Sequence, residues 1–230
     1  MIIAIDGPAG SGKSTTAREV ARRLGFRHLD SGAFYRALTY AALRRGIPVE
    51  TWDDLSPEEL DAFDIRAEPA DSGFRMLVDG VDVSDEIRSP EVNAHVSHMA
   101  RVPAVRGWLL GRLREAARGV DLVADGRDIG TVVFPDAELK IYLFADPVVR
   151  ARRRLAQYGI PDPDPATLAA EVERLRERDR MDSEREVAPL RMAEDAVPVD
   201  TTSLTFDEQV ERIVRLARSS AEKKARQRGR

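Results

Sequence analysis

Ile2-Ile3-Ala4-Ile5-Asp6-Gly7-Pro8-Ala9-Gly10-Ser11-Gly12-Lys13-Ser14 is the stretch that decides how this chain of 230 residues is read. Ile2–Asp6 is a short apolar run of the buried-strand type, stopped by Gly7-Pro8. Gly7 to Ser14 match the pattern G-x-x-x-x-G-K-[ST] in full. Behind them, Lys13–Leu24 is predicted as a helix, with Ala17, Val20, Ala21 and Leu24 on one stripe and Gly25 as its stop. That strand–loop–helix context separates a phosphate cradle from a glycine-rich turn, because a turn needs neither the Lys nor the Ser. The glycines let successive N–H groups converge on a phosphate, and the helix adds its positive N-terminal end. Lys13 then reaches further phosphates as a point charge, and the Ser14 hydroxyl offers a Mg²⁺ ligand.

Composition sharpens the reading of Lys13. Of the 36 basic residues 32 are Arg and only 4 are Lys, and Lys13 is the sole lysine before Lys140. A chain that otherwise prefers arginine places an ammonium where a planar guanidinium would crowd the loop. The Arg bias by itself carries no functional content. The absence of cysteine excludes disulfides, zinc ribbons, thiolate nucleophiles and iron–sulfur clusters. A net charge of −4 gives no reason to expect general polyanion binding. Met1–Asp6 lacks a basic leader, and no apolar run approaches the ~18 residues of a membrane span, so a soluble cytoplasmic protein is expected.

Outward from the cradle, strands and helices alternate, the pattern of an α/β fold on a parallel sheet. Phe26–Asp30 is predicted as the second strand and Ser31–Arg45 as the second helix. Leu122–Asp125, Leu139–Ala145 and Ala196–Val199 supply three more strands, the last leading into a helix over Phe206–Arg218. Residues 74–78 and 81–83, separated by Asp79-Gly80, read as a hairpin within a polar inserted subdomain between Ser56 and Ser84. Residues 150–185 hold nine arginines around a break from Gly159 to Pro165, which reads as a mobile corner between two helices. The tail 219–230 carries five basic residues against Glu222 and reads as a frayed helix end that complements its own dipole, with a nucleic-acid contact as the alternative.

A phosphate cradle serves kinases, GTPases and motors alike. Guanine-specific switches use Asn-Lys-x-Asp, and the only Asn here, Asn93, is followed by Ala94. A nucleic-acid motor needs a larger chain and a basic track. A small kinase remains, with a second substrate held at the carboxyl ends of the strands, where Asp30-Ser31-Gly32-Ala33-Phe34-Tyr35-Arg36 and Asp125-Gly126-Arg127-Asp128-Ile129-Gly130 should lie. These features leave open an acceptor such as UMP, AMP or shikimate, and a non-catalytic ATP switch or nucleic-acid binder that uses the tail.

Together, Gly7–Ser14, Asp30 to Arg36, the run Asp125-Gly126-Arg127-Asp128-Ile129-Gly130-Thr131-Val132-Val133-Phe134-Pro135, and Arg178-Asp179-Arg180-Met181-Asp182-Ser183-Glu184-Arg185 resemble the bacterial cytidylate kinase family from Ile3 to about Arg218. The resemblance implies a single kinase unit with a P-loop three-layer α/β fold and a five-stranded parallel core sheet. The core is expected over residues 1–55, 102–149 and 186–218. A nucleoside-monophosphate-binding insert with a small antiparallel sheet fits residues 56–101, and a helical lid fits 150–185. The implied reaction passes the γ-phosphoryl group of ATP, accompanied by Mg²⁺, to CMP or dCMP. A monomer with no nucleic-acid or membrane partner is implied as well.

By the same resemblance Gly7, Pro8, Ala9, Gly10, Ser11, Gly12, Lys13, Ser14 and Thr15, with Arg153 and Arg154, bind ATP. Ser14 holds the Mg²⁺ through its hydroxyl. Ser31, Tyr35, Arg36, Ser97, Arg106, Arg127, Asp128, Arg178, Asp182 and Arg185 bind CMP. Among these Ser97, Arg106 and Asp128 read the base, Arg36 and Arg127 clamp the acceptor phosphate, and Arg178 and Asp182 take the ribose. Lys13, Arg127, Arg154 and Arg185 are the implied catalytic groups. Without the resemblance, Ser97 and Arg106 are ordinary polar helix positions, Arg36 is an exposed helix residue and Tyr35 a core aromatic. Arg178, Asp182 and Arg185, at i, i+4 and i+7, read equally as one salt-bridged helix face.

Overall fold

In the computed structural model, which describes residues 1–71 and 73–228, β1 (Ile2–Asp6) lies between β6 (Leu122–Gly126) and β7 (Leu139–Phe144). β2 (Arg27–Asp30) pairs with β6 and β8 (Val197–Asp200) with β7, all in parallel, giving the order β2-β6-β1-β7-β8. The apolar residues of β1 point alternately to two covered faces, which is why the strand reads as an unbroken run. Ile3 and Ile5 meet Val20 and Ala21 of α1 (Lys13–Leu24) and Val210, Ile213 and Val214 of α8 (Phe206–Arg228). Ala4 faces the opposite layer, where α2 (Ser31–Arg44) and α5 (Pro103–Ala116) contribute Phe34, Leu38, Leu109 and Leu113. Full burial of each such side chain stabilises the fold by about 1.5–3 kcal/mol. The expected three layers and five parallel strands are therefore present.

The insert comprises α3 (Pro57–Asp61), an antiparallel sheet of β3 (Ile65–Ala70), β4 (Gly73–Val78) and β5 (Val81–Asp82), and α4 (Pro90–Met99). At the β4–β5 turn Asp79 and Gly80 have φ of 50° and 78°, the two positive values a tight hairpin demands. β3 is absent from the sequence reading. Its residues Ile65-Arg66-Ala67-Glu68-Pro69-Ala70 lack a clear alternation and contain a proline, and they become a strand because β4 offers the pairing Ile65↔Val78 through Ala70↔Gly73. An edge position tolerates Pro69. Trp52, Leu60, Phe63, Met76 and Val78 share one apolar cluster with Phe34 and Leu38, so the insert is packed continuously onto the core.

The arginine-rich segment forms α6 (Pro147–Gln157) and α7 (Pro165–Glu184), each opened by an aspartate, Asp146 or Asp164, that accepts two backbone N–H groups. Ala151, Val172 and Leu175 pack on Ala9 of the cradle. Arg185 corrects one expectation. It stands beyond the end of α7 in extended conformation, so Arg178, Asp182 and Arg185 are not one helical stripe. Smaller corrections concern boundaries: Phe26 and Ala196 lie outside β2 and β8. α8 continues through the basic segment to Arg228, where Ser220 Oγ donates to the Glu138 carbonyl at 2.8 Å and Lys224 pairs with the Glu138 carboxylate. The last two tail residues, 229 and 230, lie outside the described residues. Among the described residues no helix is long and apolar enough to cross a membrane.

Candidate active site

At the carboxyl ends of β1, β2 and β6 a cleft of about 730 Å³ opens between the core, the insert and the α6–α7 hairpin. One end is the loop between β1 and α1. A Cβ on Gly7 would stand 2.0 Å from the Leu143 carbonyl oxygen, so only glycine lets the loop leave the sheet there. Gly10 and Gly12 have φ of 72° and 88°, which turn the backbone toward α1. Ala9, Gly10, Gly12, Lys13, Ser14 and Thr15 line the cleft, whereas Gly7, Pro8 and Ser11 stand behind it. The Lys13 ammonium donates to the Pro8 carbonyl at 2.7 Å. Burial, helped by the Arg127 charge, pulls its pKa well below the usual lysine value, while Asp125 and Asp182 oppose the shift.

Ser14 is held from beneath. Its hydroxyl donates to Asp125 Oδ2 at 2.6 Å, and Asp125 Oδ1 lies 2.6 Å from His28 Nε2. The Ser31 hydroxyl donates to the Asp125 carbonyl at 2.8 Å. Burial works against ionisation of Asp125, but the hydrogen bonds from His28 and Ser14 and the nearby Lys13 keep its carboxyl below the ordinary range.

Asp128 occupies the other end. Its Oδ2 accepts from Arg106 Nη2 at 2.5 Å, and its Oδ1 lies 3.5 Å from Arg185 Nη2. Arg106 also donates to the Ala100 carbonyl at 2.8 Å and lies over the Tyr35 ring, 5.3 Å from its centroid. Burial raises the Tyr35 hydroxyl to about 12. Ser97, on α4, lines the same end. The loop that carries Asp128 is pinned by Asp6, whose two carboxylate oxygens accept from the Ile129 and Gly130 N–H groups at 2.7 Å each. Desolvation outweighs these bonds and lifts Asp6 to about 6.

Between the two ends stands a group of arginines. Arg127 Nε donates to Asp182 Oδ2 at 2.7 Å, and Arg36 Nη1 donates to Asn93 Oδ1 at 2.6 Å. Arg154 donates to the Tyr158 hydroxyl at 2.9 Å and pairs with buried Glu171 at 3.3 Å. Arg153 grips Thr201, with 3.0 Å to its hydroxyl and 2.6 Å to its carbonyl. The Nε of Arg178 is buried without a hydrogen-bond partner, and burial together with the charges of Arg127, Arg154 and Arg36 lowers its pKa to about 10. Asp182 stays below the usual carboxylate range despite burial, because Arg127, Arg178 and Arg185 surround it.

The structure thus gathers on one cleft Ser31, Tyr35, Arg36, Ser97, Arg106, Arg127, Asp128, Arg178, Asp182 and Arg185, with Arg153 and Arg154 on its rim. Sequence reasoning missed several partners. Asp6 and Asp125 end adjacent parallel strands beside the cradle, a signal that was available. Asn93 served only to exclude guanine recognition, although it orients Arg36. Arg150 is structural here: its Nη1 donates to the Ala9 carbonyl at 2.7 Å and to Asp179 at 2.6 Å, while Asp179 accepts from the Ala9 N–H at 2.8 Å. No sequence signal pairs Asp179 with Ala9.

A sequence model of the family described as cytidylate kinase matches residues 3–219. The chain is 45% identical over 223 residues to a cytidylate kinase of Anoxybacillus flavithermus, covering 96% of this chain and 97% of that protein. It is 47% identical over 214 residues to one from Geobacillus kaustophilus, covering 93% and 95%. A bifunctional pantoate ligase/cytidylate kinase of Prochlorococcus marinus is 47% identical over 222 residues, and there the match spans 94% of this chain but only 43% of the longer relative. Among solved structures, an uncharacterized protein from Eubacterium ventriosum shares the fold, with a TM-score of 0.51 at 12% identity over 95% of this chain and 98% of that one.

Proposed function

Because the chain belongs to the cytidylate kinase family, we propose that its cleft takes ATP at the Lys13 end and CMP or dCMP at the Asp128 end. The enzyme is a nucleoside monophosphate kinase that transfers the γ-phosphoryl group of ATP to the acceptor phosphate, giving ADP and CDP or dCDP. The observation that carries the assignment of the two ends is the buried Asp128 between Arg106 and Arg185, across one cleft from the cradle.

Cytosine offers an N4 amino group that a carboxylate accepts, and its N3 and O2 take hydrogen bonds from Arg106 and Ser97. Uracil would set an oxygen lone pair against Asp128, leaving a buried polar group unmet. Arg36 and Arg127 suit the acceptor phosphate as forked donors. Arg178, whose Nε is buried without a partner, and Asp182 face the ribose, with Ser31 and Tyr35 closing the wall behind them. Arg153 and Arg154 close over ATP from α6. Lys13, Arg127, Arg154 and Arg185 supply positive charge along the path of the transferred group.

The Ser14 hydroxyl presents a hard oxygen donor with the anionic Asp125 directly behind it, which fits a Mg²⁺ held by few protein ligands and by substrate phosphates. An ion held there would supply charge neutralisation for the nucleotide's phosphates. No general base is required, since the acceptor is a phosphate oxygen largely ionised at neutral pH. Catalysis rests on in-line positioning and on excluding water beneath α6 and α7. A monomer acting in the cytoplasm is part of the same reading. An ADP-release assay with ATP and Mg²⁺ over CMP, dCMP, UMP, AMP and shikimate tests the reading. Preference for CMP or dCMP is expected, and preference for any other acceptor refutes it.

A further inference from the structure

His28 is the only buried histidine of the three in the chain, 6% exposed, and the phosphoryl-transfer reading leaves it without a task. The parallel register pairs His28 with Val123 and Asp30 with Asp125, so His28 and Asp125 share the face of the sheet turned to α1. There the imidazole Nε2 stands 2.6 Å from Asp125 Oδ1. β4 packs against the backbone of β2 here, where a Cβ on Gly73 would meet the His28 carbonyl oxygen at 3.0 Å.

Asp125 is itself 2% exposed, and each of its carboxylate oxygens has one side-chain donor, His28 on Oδ1 and Ser14 on Oδ2. With both oxygens engaged, the carboxylate cannot turn about its Cβ–Cγ bond without breaking a buried hydrogen bond. The Ser14 hydroxyl therefore has a fixed acceptor for its proton. Donating downward to Asp125, it keeps its oxygen lone pairs for the cleft. Removal of His28 would leave Oδ1 buried without a donor and free the carboxylate to reorient, and the direction of the Ser14 hydroxyl would no longer be set.

We propose that His28 is a positioning residue for the metal end of the cradle, acting through Asp125 to fix the Ser14 hydroxyl as a preset ligand for the Mg²⁺ that accompanies the nucleotide. This rests on the phosphoryl-transfer reading above. His28 stands two hydrogen bonds from the ligand, through Asp125, and outer partners that orient a metal site change metal affinity by about 10- to 100-fold when lost.

Two substitutions in the full chain separate positioning from packing. In His28→Gln the side-chain amide nitrogen reaches about as far as the imidazole Nε2 and can still donate to Asp125, whereas in His28→Asn it falls short. ADP binding is measured by calorimetry with and without Mg²⁺, and the rate at saturating ATP and CMP is titrated with Mg²⁺. His28→Asn should raise the Mg²⁺ needed for half-maximal rate about 10- to 100-fold and remove most of the Mg²⁺-dependent gain in ADP affinity. Metal-free ADP binding and the KM for CMP should be unchanged, and His28→Gln should restore most of the metal dependence. Should the asparagine variant unfold, His28→Leu carries the same expectation. Parental metal dependence in the donor-less variant overturns the proposal, as does a glutamine variant no better than it. The calorimetric arm needs no turnover, so a chain that fails to phosphorylate CMP would refute the acceptor reading while still reporting on His28.

Discussion

Replacing Asp128 with alanine removes the carboxylate that two buried guanidinium groups share. Arg106 is 5% exposed and the Arg185 side chain 4%, and Asp128 is the anion within 2.5 Å of the first and 3.5 Å of the second. Burial and the charge of Arg106 already lower the Arg185 pKa, with Asp128 as an opposing influence. Taking one partner from a buried pair costs about 3–5 kcal/mol, a large part of the ~5–15 kcal/mol that holds a typical domain folded. Adding Arg106→Met removes the guanidinium left without its carboxylate, while Arg185 keeps Asp182 at 3.8 Å. The double variant should therefore be less destabilised than the sum of the singles by about 2–3 kcal/mol, the upper part of the range for contacting residues. Urea unfolding of the parent, both singles and the double measures this coupling. On the catalytic side a charged hydrogen bond of about 1.5–3 kcal/mol is lost, so kcat/KM for CMP should fall roughly 10- to 150-fold. The KM for ATP should hold, because Asp128 lies across the cleft from the cradle. Additive singles would refute the energetic pairing, and equal losses for ATP and CMP would remove Asp128 from base recognition.

Lys13→Ala should lower turnover by orders of magnitude in an ADP-release assay without lowering the thermal unfolding temperature, since the ammonium is already desolvated at a cost to its charged form. Burial lifts Asp6 to about 6 in the fold against an ordinary 3.8, so the folded state binds the extra proton between those values and stability rises as pH falls through them. From pH 7 to pH 5 urea unfolding should show a gain of about 1 kcal/mol from this group, present in the parent and missing in Asp6→Asn. An equal gain in both proteins would exclude Asp6 as its source. Asp179→Ala should break the tie between α7, Arg150 and the Ala9 peptide. The KM for ATP should then rise while that for CMP stays, and the Ala9 amide should exchange hydrogen faster.

Residues 2–24 made the fold legible because the device they encode is local: the strand, the turn and the helix N-terminus follow one another, and each constrains its neighbour by backbone geometry. The hairpin at Asp79-Gly80 is local in the same way. β3 was not legible, since Ile65–Ala70 is a strand only because β4 pairs with it. The helical stripe expected through Arg185 failed for a related reason: spacing places residues on a face only while the helix lasts, and α7 ends at Glu184.

The chemistry-bearing residue types could thus be read from the chain, but their partners could not. Asp6 and Asp125 show in the sequence only as carboxylates closing two apolar runs. In the folded chain one pins the loop of Asp128 and the other joins His28 to Ser14. Arg106, Asp128 and Arg185 come from α5, the loop after β6 and the segment past α7. The sequence by itself determined that a phosphate would be bound, because successive backbone groups suffice for that. Only the tertiary structure decided which buried charge meets which, because pairing across 22 and 57 residues of chain depends on how helices pack on the sheet and leaves no local trace.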